Sequence, residues 1–434
     1  MLSTEENELL CRVGPGTPMG ELLRRFWLPA LLSDEVPTPD CDPIRTRHLG
    51  EDLVAFRDTN GRVAVLDAFC PHRRAPLFFG RNEDCGLRCV YHGWKFDADG
   101  TCLDVPSEPP ESRFKDHISI KSYPTYEAGG VVWLYMGPAE VKPDRPPELP
   151  FTLLPEEEQG GIKFLVESSY LQNLEGELDT AHVSFLHSNL TGSADLSSLV
   201  RLDGYNNDRH PRLSIIDTDY GFVYGGRRTR TDGEYYWRVT QYLLPIYGLI
   251  PRSGGYNGGA TIWVPIDDHH CWRFLVGGRG LRRSGPTSGS RGPLPISRGM
   301  YTFADGRTID TYLPDNNKSN LYGMDRQKQR TVNFTGMGAI PTEDQAMNEG
   351  MGYIADRSLE HLAQTDVAIV AMRRRLLAMV RDLQKGIEPE APRHPETYRV
   401  RPLDVDSTNS ELAALLDEHA EDVRIDDPSV MVLR

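Results

Sequence analysis

Cys70-Pro71-His72 and Cys89-Val90-Tyr91-His92-Gly93-Trp94, with sixteen residues between them, are the stretch from which the rest of the 434-residue chain is read. Each half offers one cysteine and one histidine, and each falls on a turn between short alternating segments. Leu53–Arg57 and Arg62–Leu66 flank Asn60-Gly61, a strong hairpin signal. Asp99-Gly100 marks another hairpin after Trp94-Lys95-Phe96-Asp97, and Gly129–Met136 reads as a buried strand. Together these predict an all-β module over residues 41–137. Ahead of it, residues 1–40 read as a helical lead-in, with Thr17 as N-cap and Pro18 at the first helical position. Behind it, Pro138, Pro143, Pro146, Pro147, Pro150 and Pro155 fall within 138–155, a linker no continuous helix or central strand would tolerate. Residues 156–434 are mixed. Strand-like runs occur at Phe222–Gly225, Tyr236–Leu244, Thr261–Pro265 and Cys271–Val276, and a long helical pattern covers Ser358–Lys385. Residues 277–299, rich in Gly, Arg, Ser and Pro, read as a surface loop. The expected class is α+β.

Two Cys-His pairs this close, in a chain with 12 histidines, point to a bound metal. Four such ligands could hold one tetrahedral zinc. They could instead hold a two-iron, two-sulfide cluster, with both thiolates on one iron and both imidazoles on the other. Zinc fingers usually pair Cys with Cys and His with His. Here each loop offers one of each, which favours the cluster. Cys85 stands outside the pattern.

Composition narrows the partners. Apolar residues make up 39% and charged residues 26%, an ordinary globular balance. A formal net charge of −15 argues against nucleic acid or an anionic membrane as the main partner. The most apolar runs, Gly130–Met136 and Tyr242–Ile250, fall far short of the roughly 20 residues that span a bilayer. The chain begins Met-Leu-Ser-Thr-Glu-Glu-Asn-Glu, acidic where a secretory signal needs bases. With an odd 7 cysteines, the expectation is a reduced, cytoplasmic protein.

A second constellation runs from Asn173 to His187: Asn173-Leu-Glu-Gly-Glu177-Leu-Asp179-Thr-Ala-His182-Val-Ser-Phe185-Leu186-His187, which reads as a helix. Asp179 and His182, three apart, would share a face, so the carboxylate can accept a hydrogen bond from one ring nitrogen and leave the other for a metal. His182 and His187 are five apart, about 140° around an ideal helix. The helix must therefore widen, bulge or end between them, and a π-type insertion is one means. Two histidines and a carboxylate make the facial triad of non-haem iron oxygenases. Asp179 could in principle be the carboxylate, and a further acidic pair lies in Ile340-Pro-Thr-Glu343-Asp344. Glu343 and Asp344 also read simply as first-turn acids favoured by a helix dipole. Asp267-Asp268-His269-His270 reads as a polar hairpin turn, and Arg373-Arg374-Arg375 as a solvated or partner-facing stripe.

At Cys70, His72, Cys89, His92, Gly93 and Trp94 the sequence resembles the Rieske family. At Gly176, Glu177, Asp179, His182, Phe185, Leu186 and His187 it resembles, over nearly the whole chain, the Rieske non-haem iron oxygenases. Chain length, Trp263–Asp268 and Asp366–Leu377 look most like the phthalate 4,5-dioxygenase group. The resemblance implies a [2Fe–2S] cluster with Cys70 and Cys89 on one iron and His72 and His92 on the other. It implies a mononuclear iron on His182, His187 and Asp344, with Asn173 nearby. Asp179 would relay electrons and protons from a Rieske histidine of a neighbouring subunit. The fold implied is a Rieske domain followed by a catalytic domain whose antiparallel sheet wraps a long C-terminal helix. The activity implied is that of an oxygenase component, taking O2 and electrons from an NAD(P)H-dependent flavin and iron–sulfur reductase to hydroxylate, as a cis-dihydroxylation, an aromatic substrate such as an aromatic carboxylate. The assembly implied is a homotrimer or stacked hexamer. A Rieske monooxygenase (an O- or N-demethylase) shares every ligand, and a ferredoxin-like electron carrier with a non-catalytic domain is the rival from another class. A carboxylate substrate needs cations in the pocket, for which Arg212 and Arg238 are the candidates, although either could be a surface residue on an alternating strand.

Overall fold

The computed structural model describes residues 1–190, 208–251, 258–278 and 294–426. Both expected hairpins form. Asn60-Gly61 joins Glu51–Arg57 to Val63–Asp67, and Asp99-Gly100 joins Lys95–Phe96 to Cys102–Asp104. The first pair belongs to a four-stranded antiparallel sheet with Ile44–His48 and Ser122–Tyr123. The second belongs to another, with Arg81–Glu83 and Gly86–Arg88. Between them lies a core of their own, including Val54, Phe56, Leu66, Leu77, Leu87, Trp94 and Phe96.

The lead-in is only partly helical. Helices form at Thr4–Cys11 and Pro18–Leu23, the second with the Thr17 side chain accepting the Gly20 N–H as expected. Trp27–Leu32 is instead a fully buried strand paired with Val131–Tyr135. Six consecutive apolar residues with a proline inside suit a strand covered on both faces better than a helix, and the register shifts between Pro29 and Leu31. Leu10, Val13, Met19, Leu22 and this strand join the larger core of the C-terminal region, not that of the small module.

That larger region is built on an eight-stranded, wholly antiparallel sheet. Its path runs through Gln159–Val166, Cys271–Gly278, Ala260–Pro265, Tyr247–Leu249, Tyr235–Leu243, Gly221–Thr229 and Arg212–Thr218, and Leu403–Ser407 also pairs with Tyr235–Leu243. The Asp267–His270 segment is the expected hairpin turn, closed by the Ile266 N–H on the His270 carbonyl at 2.9 Å. Strands enter both ends of the loop expected at 277–299, through Gly278 and from Ile296; residues 279–293 lie outside the described ones.

The helix lying on the sheet is the short one, Tyr170–Leu178, buried at every position but Gly176. It packs on Tyr247–Leu249 and Ala260–Pro265, and the helix Ile340–Gly350 lies beside it. The long helix covers the group from outside and is shorter than its pattern, spanning Val367–Gln384. The Asp366 carboxylate accepts the Ala363 N–H at 2.6 Å, which turns the chain before the helix begins. Ile369, Met372, Leu376, Leu377 and Val380 form its buried stripe. No helix among the described residues is long and apolar enough to cross a membrane.

The triple arginine is not a solvated stripe. Only Arg374 is exposed. Arg375 bonds the Thr218 and Gly221 carbonyls and pairs with Asp217. Arg373 is buried, donating to Glu175 at 2.7 Å and to Glu360 at 2.7 Å. Glu175 also accepts two bonds of 2.8 Å from Arg357, which in turn reaches Asn7 at 2.9 Å. One carboxylate of the sheet-packed helix thus ties together the N-terminal helix, the long helix and the chain leading into it. Glu175→Leu, which takes the shared carboxylate from two buried guanidinium groups, should lower the unfolding free energy measured by chemical denaturation by about 3–5 kcal/mol. A loss under ~1 kcal/mol would mean that the charges are not what joins these helices.

Candidate metal centres

The two Cys-His loops are built alike. In one, the Cys70 N–H donates to the Ala75 carbonyl at 2.9 Å and the Arg74 N–H to that of Cys70 at 2.8 Å. In the other, the Cys89 N–H donates to Trp94 at 2.8 Å and the Gly93 N–H to Cys89 at 2.9 Å. Each turn needs one left-handed residue, Arg74 at φ 58° and Gly93 at φ 78°. At Gly93 a Cβ would also lie 2.5 Å from Pro106, so glycine is required there. The sulfurs of Cys70 and Cys89 point into the module's core, while the imidazoles face outward. The histidine rings are 4.4 Å apart, and Trp94 stacks on His72 at 4.5 Å and 8°. Burial, with the Cys89 sulfur adding to it, pushes the Cys70 thiol up to about 11 against a bond from the His72 N–H, so a bound metal is what would make it a thiolate. Among the described residues the one group of three or more such donors within 4.8 Å of one another is elsewhere. The four donors here do not gather round a single ion, as tetrahedral zinc requires. A thiol pair inside and an imidazole pair outside fit a two-iron cluster. Cys85, on the turn after Arg81–Glu83, takes a hydrogen bond from Asn60 and stands apart.

The converging group is His182, His187 and Asp344. Asn173–His187 is not one helix and holds no π-bulge. The helix ends at Leu178, Asp179 leaves it in an extended conformation, and His182–Ser184 is a single 3-10 turn. The Asp179 side chain breaks the helix by accepting the N–H of Ala181 at 2.7 Å and of His182 at 3.4 Å. The two histidines then meet with Nε2 atoms 3.1 Å apart. Asp344 Oδ1, on the helix Ile340–Gly350, lies 3.0 Å from the Nε2 of His187 and 3.8 Å from that of His182. Asp179 Oδ2 faces the opposite nitrogen, Nδ1 of His182, at 3.4 Å. Asp344 is therefore the carboxylate of the group, and Asp179 stands behind it.

The other nitrogen of His187, Nδ1, is 2.6 Å from Glu343 Oε2. With both Nδ1 atoms turned to carboxylates, the tautomers that satisfy them leave both Nε2 atoms as acceptors, facing an acceptor oxygen. Acceptors this close need a proton or a metal cation between them. Burial opposes a charge on His187, yet Asp344 and then Glu343 hold its pKa up at about 9, so that without a metal a proton on Nε2 bridges to Asp344. Burial likewise opposes a charge on Asp344, but His187, Arg273 and His182 hold it far below the usual carboxylate range. Two imidazoles and one carboxylate suit a divalent first-row metal with positions left open.

Both sites fall within segments that match known families. Residues 26–124 match the Rieske [2Fe-2S] domain family, and residues 134–398 match the LigXa C-terminal domain-like family. The 3-chlorobenzoate-3,4-dioxygenase oxygenase subunit of Comamonas testosteroni is 41% identical over 393 residues, covering 88% of this chain and 89% of that protein. The phthalate 4,5-dioxygenase oxygenase subunit of Pseudomonas putida is 40% identical, with 89% and 88% covered. The chain belongs to the Rieske oxygenases. The 5,5'-dehydrodivanillate O-demethylase oxygenase subunit of Sphingobium sp. strain SYK-6 is 33% identical over 93% of this Rieske oxygenase and 86% of its own length. A crystal structure of dicamba monooxygenase bound to dicamba shares the fold, with a TM-score of 0.57 at 19% identity over 84% of this chain and 98% of that one. Oxygenase components of this kind work with a reductase, O2 and an aromatic substrate.

Other expected residues of the Rieske oxygenase fare differently. Asn173 is buried and engaged with Ser168, Ser169, Cys271 and Asn348, so it links the helix Tyr170–Leu178 to Ile340–Gly350; none of its hydrogen bonds goes to the triad. Arg212 is exposed on the edge strand, as its surface reading holds. Arg238 is buried and is the register partner of Gly226, where a Cβ would lie 3.2 Å from Thr180. Its strand face thus turns toward the residue two before His182. Arg228 shares that face, is wholly buried and donates to the Thr180 carbonyl at 3.1 Å. Sequence reading passed over Arg228 and Arg273, whose Nη1 is 3.6 Å from Asp344 Oδ2. It took Glu343 for an ordinary first-turn acid. The alternation of the strand at Arg228 was the only available signal.

Proposed function

We propose that this Rieske oxygenase hydroxylates an aromatic carboxylate at an iron held by His182, His187 and Asp344, with electrons from a [2Fe–2S] cluster on Cys70, Cys89, His72 and His92. The convergence of His182 Nε2, His187 Nε2 and Asp344 Oδ1 within 3.8 Å carries this reading. The centres supply electron storage and dioxygen activation when loaded. The chain's own residues do the rest. Asp179, kept ionised by His182 and two backbone N–H groups against its burial, holds the Nδ1 proton of His182 and fixes the tautomer.

The cluster loops lie on the small core and the triad on the large one, which supports electron entry from a neighbouring subunit. Val90 and Tyr91 beside the cluster histidines are 59% and 55% exposed, and Phe185 and Phe334 beside the triad are 48% and 50% exposed. Two different apolar rims on one chain favour a head-to-tail contact, closing most simply as a homotrimer or a stacked hexamer. The reductase is taken to be an NAD(P)H-dependent flavin and iron–sulfur protein, and the setting cytoplasmic.

The names of the chlorobenzoate and phthalate relatives support a carboxylate substrate. Arg238, with Arg228 beside it, is the anchor the burial favours, and Arg212 is set aside. The deciding experiment is single turnover of chemically reduced protein with labelled dioxygen and a panel of benzoates, phthalates and aryl ethers, read by mass spectrometry. A benzoate or phthalate product gaining both labelled oxygens and two hydrogens is expected. One labelled oxygen, or loss of an alkyl group, would make it a monooxygenase or demethylase. No product from a fully metallated chain, or no iron beyond the cluster's, would leave an electron carrier.

Asp179→Asn should retain both metal centres while coupled turnover falls ~100-fold; native turnover at full occupancy would remove the relay. Arg238→Met should raise KM for the carboxylate substrate roughly 10–100-fold, the equivalent of about 1.5–3 kcal/mol for a charged hydrogen bond. KM for the corresponding amide should stay put, and an equal rise for both would place Arg238 outside the anchor.

A further inference from the structure

His187 is backed by a carboxylate that takes no part in the triad. Glu343 precedes Asp344 on the same helix and is 0% exposed. Its Oε2 lies 2.6 Å from His187 Nδ1, and its Oε1 lies 2.5 Å from the Thr335 hydroxyl. That hydroxyl already accepts the Met337 N–H at 3.2 Å, so its own proton goes to Glu343. The loop around it is held in turn, since Asn333 donates to the Met337 carbonyl at 2.9 Å and accepts the Gly336 N–H at 2.5 Å. The same loop grips the segment carrying the histidines. The Phe334 N–H donates to the Ser188 carbonyl at 3.0 Å, and the Leu190 N–H to that of Val332 at 2.9 Å. On the other side of the triad, Asp179 meets His182 at 3.4 Å, and both side chains are about a quarter exposed, at 23% and 25%. The two histidines are therefore supported unequally.

We propose that Glu343, held by Thr335, is the positioning residue that fixes the ring of His187 and keeps its Nε2 aimed at the metal site. Iron retention then depends on the loop Asn333–Met337, which contributes no ligand. The inference rests on reading His182, His187 and Asp344 as the iron site. A buried carboxylate accepting the Nδ1 proton has one orientation to offer, because Thr335 occupies its second oxygen. The imidazole cannot turn over without taking from the buried Oε2 its bond to Nδ1.

The test is ferrous-iron affinity of the full-length, cluster-loaded protein, measured by competition with a chromophoric chelator, with visible absorbance of the cluster as internal reference. Glu343→Gln and Thr335→Val should each weaken ferrous binding about 10–100-fold with the cluster spectrum unchanged. Thr335→Ser, which keeps the hydroxyl, should restore native affinity. Native affinity in both Glu343→Gln and Thr335→Val would overturn the proposal, as would equal losses in Thr335→Val and Thr335→Ser. If Glu343→Gln does not fold, the two Thr335 variants decide alone. His187→Ala separates the underlying assumption: native affinity there would show that the triad is not the iron site, whatever the Glu343 result.

Discussion

Two imidazole nitrogens and a carboxylate oxygen that stand 3.0–3.8 Å apart need a positive charge among them, a proton or a metal ion. Much of the larger region serves that constraint. Its histidines come from one short segment and its carboxylate from a helix more than 150 residues further on, so the two must be locked together before any cation arrives. The locking is polar and buried. Asn173 and Asn348 bridge the two helices at 3.0 Å, and Glu175 anchors the first of them to the N-terminal and long helices through two arginines. Burying so much charge is tolerable because each member is paired; it gives up stability that apolar packing would supply, in return for a fixed geometry.

The Rieske module was legible because its ligands are local. Two turns, two hairpin signals and four ligands lie within one small unit, and nothing distant is needed to complete it. The mixed Cys-His pairing also carried the distinction between one ion and a cluster, and the structure explains why. Reciprocal backbone bonds close each turn so that its cysteine faces in and its histidine faces out. Each loop then presents a sulfur on one side and an imidazole on the other, as the proposed cluster needs.

The larger region was harder for specific reasons. Asn173–His187 has helical spacing, but Asp179 offers its carboxylate to the backbone two and three residues on, and that local competition ends the helix. Arg373 looked solvated beside two other arginines, because its partners Glu175 and Glu360 are brought to it only by the fold. Arg212 and Arg238 sit in similar alternating runs. What separates them is that one strand lies at the sheet edge while the other is interior, and pairing order is not written in either segment. Glu343 was least legible of all: a first-turn acid is so common that nothing local marks one as reaching back to a histidine.

The unequal backing of the two histidines gives the site a direction. His187, Glu343 and Thr335 form its buried side, where one ring nitrogen is pinned at 2.6 Å. His182 and Asp179 form its open side, with a longer contact and an exposed rim that includes Phe185. In the proposed relay, electrons and protons would enter by the carboxylate that is part exposed, which of the two is Asp179. On that reading one demand, meeting the donor, falls on His182 and Asp179, and the other, holding the metal, falls on His187 and Glu343. A rigid half that retains the metal and a looser half that meets the donor satisfy both demands with the same pair of residue types, histidine and carboxylate, differing only in burial.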